Sequence, residues 1–220
     1  MLLQSSPTNR WTNLLLQPFE INEAAARQEL ATLKKWMDEH EWFIERDIVK
    51  KLRETKYLCG YLGKLSPLAI PTHMQFEVSL LGAFRADLVV GDLIKQRYVF
   101  IEFEGGSKNS IYSSSEANQM RSWGREFSKG WSQLMDWSWA MRERNDILGA
   151  ALGSAKPHAT YYLVCGRDAC FSGPTKTVDE ERYKWLSDNA IIAGGQLICM
   201  TYDSMVAWLA GQIGPASEAE

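Results

Sequence analysis

Between residues 75 and 104 the chain carries three short apolar stretches with period-two or near-continuous patterning, the signature of β-strands rather than helices. In 75–81, Phe76, Val78 and Leu80 are expected on one face and Gln75, Glu77 and Ser79 on the other. In 84–91 only Arg85 and Asp87 interrupt the apolar run. In 98–104, Val99, Ile101 and Phe103 line one face while Glu102 and Glu104 share the other. The short connections predict an antiparallel meander. A hairpin centred between Ile94 and Lys95 would set Asp87 opposite Glu102, gathering three carboxylates on one sheet surface.

Elsewhere the period is mostly helical. Ala26, Leu30, Leu33, Trp36 and Met37 predict a helix from Asn22, its N-cap, to about His40. Phe43, Ile48, Val49 and Leu52 predict a second helix over 42–57, and Gly and Pro punctuate 58–73 as loop. After a Gly-rich turn at 105–110, Phe127, Trp131, Leu134, Met141 and Leu148 predict one long helix over 125–148. Met135 and Trp139 form a second apolar stripe on it, which implies burial on two sides, against the sheet and a second subunit. A strand at 159–165, a helix at 178–189, a strand at 196–201 and a helix at 203–213 capped by the Asp or Thr before it complete an α/β pattern with a mixed sheet. The expected organisation is an N-terminal arm over 1–21 that docks through Leu14 to Leu16, one domain over 22–213, and a disordered tail over 214–220.

At 220 residues and 45% hydrophobic content the chain supports one sizeable core. Cys59, Cys165, Cys170 and Cys199 form no CxxC pair, and His40, His73 and His158 lie near no cysteine pair, so buried reduced thiols are expected rather than zinc or disulfides. No signal-peptide pattern and no membrane-length apolar run is present, which predicts a cytoplasmic protein with no membrane partner. A net charge of -3 gives no bulk attraction to nucleic acid, so DNA binding requires a local patch. The most basic stretch is the second helix, with Arg46, Lys50, Lys51, Arg53 and Lys56 against Asp47 and Glu54. A solvated helix face explains such a run, and a phosphate-contacting surface is the sharper reading.

Two carboxylates about 4 Å apart repel by about 4 kcal/mol at an effective dielectric of about 20. The three acids therefore require a cation, a proton or open solvent. Hard oxygen donors without Cys or His favour Mg2+ or Mn2+, whose chemistry is activation of water against a phosphoryl group. The bland alternative is a set of solvated acids on an edge strand. Arg85 would share the face of Asp87, contacting phosphate or neutralising the acids; Lys108 is a loop lysine or a cation for the site; Glu77 and Glu45 are surface acids or weaker ligands. Trp137 reads as core, and a buried Gln133 amide would need a polar partner.

Asp on one strand, Glu-x-Lys on the next and a glutamine on the following helix form the PD-(D/E)xK nuclease pattern, which Asp87, Glu102-Phe103-Glu104 and Gln133 resemble. More narrowly, Ile101-Glu-Phe-Glu-Gly-Gly106, Gly130-Trp-Ser-Gln-Leu-Met-Asp-Trp137 and Thr201-Tyr-Asp203 resemble the Shedu (SduA) antiphage nuclease domain over about 22–212. The resemblance implies a restriction-endonuclease-like core with a mixed β-sheet flanked by helices. It implies a Mg2+- or Mn2+-dependent DNA endonuclease acting in phage defence as a homo-oligomer. Asp87 and Glu102 would bind the metal and Gln133 would face the site; read from the residues themselves, Arg85, Lys50, Lys51, Arg53 and Lys108 are the candidates to meet nucleic acid. Glu104 departs from the pattern because it stands where lysine is usual, adding a metal ligand or general base in place of a cation. Two further readings compete: a catalytically inactive nuclease-fold module that binds nucleic acid or mediates assembly, and a metal-free protein-interaction domain built on the tryptophan-rich helix.

Overall fold

The computed structural model describes residues 15–66, 70–114, 120–154, 157–192 and 195–214. Seven strands form one mixed sheet in the order β1-β2-β3-β4-β5-β7-β6, flanked by seven helices among the described residues, the arrangement of a restriction-endonuclease-like core. The strands are β1 (Gln17–Pro18), β2 (His73–Leu80), β3 (Phe84–Asp92), β4 (Arg97–Phe103), β5 (His158–Val164), β6 (Ile191–Ile192) and β7 (Gly195–Met200). β2, β3 and β4 form the expected antiparallel meander, and β4, β5 and β7 run parallel.

One face of the sheet is covered by α1 (Glu23–Glu39), α2 (Glu45–Glu54), α3 (Lys56–Gly60) and α7 (Tyr202–Ile213). The other is covered by α4 (Arg125–Glu143), α5 (Asn145–Ala151) and α6 (Lys176–Asn189). Asn22 caps α1 by accepting from the Ala25 amide at 3.0 Å, and Thr201 caps α7 by accepting from the Ser204 amide at 3.0 Å. All four cysteines are buried free thiols. No described helix is long and apolar enough to cross a membrane.

Several expected boundaries move. The helix read over 42–57 begins at Glu45 and breaks at Thr55, whose hydroxyl donates back to the Leu52 carbonyl; the segment after it, read as loop, continues as α3 and a 3-10 turn to Leu65. The helix read over 125–148 breaks at Arg144 into α4 and α5. Leu16 is buried and Gln17 pairs with Met74. Leu14 and the rest of the arm, and the tail beyond Gly214, lie outside the described residues.

A further correction concerns β2. Phe76, Val78 and Leu80 do not share a face: Met74 and Phe76 pack with the α1 side, whereas Val78 and Leu80 pack with the α4 side. Glu77 between them has φ +54°, which turns the strand over. Across from it β3 inverts as well, Ala86 joining the α4 side and Leu88 the α1 side. The ladder runs Phe76↔Leu88 and then Val78↔Ala86, omitting Glu77 and Asp87. Asp87 therefore sits at a defect in the pleat.

Candidate active site

The β3–β4 register places Leu88 with Ile101 and Asp92 with Arg97, which centres the hairpin between Ile94 and Lys95 as expected. Pairing with β4 stops at Leu88, although β3 stays paired with β2 to Phe84. Beyond that point the Phe103 amide donates to Asp87 Oδ2 at 2.9 Å instead of to backbone. β4 continues against β5, with Glu102 beside Leu163 and the Glu104 amide on the Val164 carbonyl at 2.9 Å. The acids thus gather where two paired strands part company.

Glu102 and Glu104 are 1% exposed. They follow Tyr98 and Phe100 onto the α4 side of the sheet. The carboxyls of Asp87 and Glu102 lie close enough for each to act on the other's charge. Three glycines let the surroundings close in. A Cβ on Gly130 of α4 would stand 2.4 Å from Leu163 and 2.9 Å from the Glu104 side chain, so the helix rests directly on Glu104. A Cβ on Gly105 would meet the Glu126 carboxylate, and one on Gly106 would strike the Phe43 ring. Tyr202 anchors the same strand end from α7, its hydroxyl donating to the Glu104 carbonyl at 2.5 Å.

The residue that the sequence reading did not find is Lys129. Its Nζ lies 3.0 Å and 3.3 Å from the two Glu104 oxygens and 2.7 Å from Glu45 Oε2. Glu126, Lys129, Gly130 and Gln133 recur at helical spacing, so one stripe of α4 faces the strand acids. That spacing was the available signal: Lys129 lies four residues before the glutamine already singled out. The ammonium absent from the strand at position 104 is delivered from the neighbouring helix. Glu45, weighed as a surface acid, holds this lysine from the first turn of α2.

Electrostatics set the site apart. Burial raises the Glu102 carboxyl far above the usual range, and the charges of Asp87 and Glu104 raise it further. Burial raises Asp87 and Glu104 as well, against the opposing effects of the Phe103 amide on Asp87 and of Lys129 on Glu104. Burial disfavours the charged Lys129, yet its hydrogen bonds to Glu45 and Glu104 hold its ammonium above the ordinary lysine value. Glu102 Oε2, Glu104 Oε1 and Gln133 Oε1 are buried with no hydrogen-bond partner, Glu104 Oε1 having only its ion contact to Lys129.

No three His, Cys, Asp or Glu side chains among the described residues form a ready cation cage. Mg2+ asks for less, since it is held by one or two carboxylates and keeps several waters. Two converging carboxyls, a partnerless Glu102 oxygen and a partnerless glutamine oxygen fit that requirement. Hard oxygen donors alone suit Mg2+ or Mn2+.

The basic candidates separate into groups. Arg53 and Arg85 both reach Glu77, at 2.6 Å and 3.5 Å. Lys51 pairs with Glu54 at 3.0 Å, and Lys50 and Lys51 border a recess with Trp36 and His40 rather than the carboxylates. Lys108 is exposed in the turn after Gly106. Trp137 is core, as its apolar spacing indicates. The Thr201-Tyr-Asp203 segment acts structurally: Thr201 donates to Asp168 at 2.5 Å, and Asp203 receives Arg167 Nε at 2.9 Å, while that guanidinium also caps the end of α1 through the carbonyls of Met37 and His40.

Comparison with protein families matches residues 27–206 to the family described as Shedu protein SduA, C-terminal. No curated protein matches the sequence.

Proposed function

The chain belongs to the Shedu protein SduA C-terminal family, which implies a role in Shedu antiphage defence, and from that premise we propose that it is a metal-dependent DNA endonuclease of the PD-(D/E)xK type. The observation that carries the reading is the Lys129 ammonium on Glu104, beside a Glu102 carboxyl oxygen that has no partner. Asp87 and Glu102 would hold Mg2+ or Mn2+, and Glu104, paired with Lys129, would stand beside them as the general base. Once bound, the ion supplies charge stabilisation at the phosphoryl oxygens and lowers the pKa of water.

The protein's own groups do the rest. Lys129 orients the attacking water and offsets the charge on Glu104. Glu104, raised above the ordinary carboxylate range, is matched to accept the water proton near neutral pH. Water oxygen bonds to phosphorus, the phosphorus–oxygen ester bond breaks, and the leaving oxygen is protonated from solvent. Gln133 would position the water or the ion through its partnerless oxygen. Arg85, Arg53, Lys50, Lys51 and Lys108 would contact the DNA backbone, and the reaction would take place in the cytoplasm. The inactive-module reading rests on loss of the strand lysine; the Lys129 ammonium on Glu104 favours the enzyme over it.

A homo-oligomer is part of the same proposal. Met135 and Trp139 remain 43% and 55% exposed, with Trp139 edge-on to Phe84 at 6.4 Å, and this stripe is the intended subunit contact. The deciding experiment incubates linear, nicked and circular DNA with Mg2+, Mn2+ or Ca2+. Cleavage by the wild type and none by Asp87→Ala supports the enzyme; no cleavage with any ion contradicts it.

A further inference from the structure

Glu77 occupies the middle of β2 with φ +54°, a backbone conformation uncommon for any residue but glycine. Its Oε1 lies 2.6 Å from an Arg53 nitrogen and 3.5 Å from an Arg85 nitrogen. The three side chains are 40%, 42% and 66% exposed, and ion pairs so open to water contribute little stability. Backbone strain is thus spent on a contact that does little for the fold.

Its position gives the contact another use. Glu77 and Asp87 are the two residues skipped in the β2–β3 ladder, and facing residues of antiparallel strands have Cα atoms about 5 Å apart. The two guanidiniums therefore meet on the β2 residue that stands across the same ladder defect as Asp87. Arg53 also borders a small cavity with Lys56, Gln75 and Phe76, extending the basic surface along the β2 edge. Paired guanidinium groups suit a phosphate as well as they suit a carboxylate.

Resting on the nuclease reading above, we propose that Arg53 and Arg85 form a site for a backbone phosphodiester of duplex DNA, and that Glu77 fills it in the free protein as a carboxylate stand-in. DNA binding exchanges one anion for another: the phosphate takes the two guanidiniums and the Glu77 carboxylate returns to water. The turned backbone at Glu77 is what aims its side chain at the two arginines. Glu77 is a positioning residue that holds the clamp in its loaded geometry and weakens binding by competing for it.

The test is fluorescence anisotropy of a short labelled DNA duplex in EDTA, where no turnover occurs, across a range of salt. Glu77→Asn removes the charge and tolerates positive φ, and Glu77→Gln is the second variant should the first fail to fold. Each is measured alone and with Arg53→Ala/Arg85→Ala. The expected result is binding about tenfold tighter than wild type at low salt, with a salt slope steeper by about one to two, and no gain when both arginines are absent. A gain that persists without the arginines would reduce the effect to net charge and overturn the proposal. An unchanged affinity in a wild type that binds DNA would overturn it while leaving the nuclease reading intact. Failure of both wild type and variants to bind duplex would overturn the proposal, while the nuclease reading stands or falls separately on cleavage with Mg2+ or Mn2+.

Discussion

Glu102 and Asp179 are both acids buried to within 1% of complete enclosure on the α4 side of the sheet, and their surroundings could hardly differ more. Asp179 Oδ2 receives Arg121 Nε at 2.8 Å and the Thr175 hydroxyl at 2.8 Å, and Oδ1 receives Arg182 at 3.4 Å. The two guanidiniums lie over the Tyr112 ring and donate onward to the Cys170 and Arg121 carbonyls. Every oxygen has a partner. Glu102 faces two further acids and leaves Oε2 with none. A satisfied buried charge holds structure together; an unsatisfied one is held ready for something the chain does not itself provide.

That contrast can be broken by exchange of roles. Glu102→Gln or Asp87→Asn should lower DNA cleavage by about 10³-fold or more while leaving the melting temperature near neutral pH equal to wild type, because each replaces a carboxyl whose charged form burial already disfavours. Asp179→Ala should do the reverse: about 3–5 kcal/mol of stability lost in denaturant titration, since the buried Arg121 guanidinium is stranded and the half-buried Arg182 loses its acid. If Glu102→Gln unfolded the protein instead, the distinction between the clusters would fail.

Lys129→Met sharpens the comparison at intermediate size. Loss of the ammonium should cut cleavage by about 10²-fold, and Lys129→Arg should restore part of it. Unchanged cleavage by Lys129→Met would return Glu104 to the status of a lysine lost without replacement.

The smaller effects are in pH and assembly. Asp87 is pushed up to about 6 and Glu104 up to about 8, so in the metal-free protein each binds its proton more tightly folded than unfolded. Their contribution to stability is complete below the unfolded values near about 4 and is lost as pH rises through about 6 and about 8. Melting in EDTA should therefore fall across this range and recover on addition of Mg2+; a flat profile in both conditions would contradict it. Trp139→Ala should lower the mass measured by light scattering if its exposed stripe joins subunits, and an unchanged mass would remove that role.

The meander, its hairpin centre and the gathering of Asp87, Glu102 and Glu104 were legible because strand periodicity and loop length fix register locally. The inversion at Glu77 was not, since nothing in the alternation of Phe76, Val78 and Leu80 marks a left-handed residue between them. The break at Arg144 was missed because the apolar stripe of α4 continues into α5 through Leu148. Lys129 was hidden for a related reason. Position 104 invited a comparison along the strand, whereas the ammonium crosses a gap of 25 residues that only the close seat of Gly130 on the sheet makes short.

The central claim is that the orphaned carboxylates form a divalent-ion site. Calorimetric titration of Mn2+ into the wild type and Glu102→Gln, at neutral and at mildly alkaline pH, tests it most directly. The account predicts saturable binding by the wild type that strengthens as pH rises, because the acids must lose protons to receive the ion, and its loss in Glu102→Gln. No saturable heat from the wild type at either pH, or equal binding by the two proteins, would contradict it.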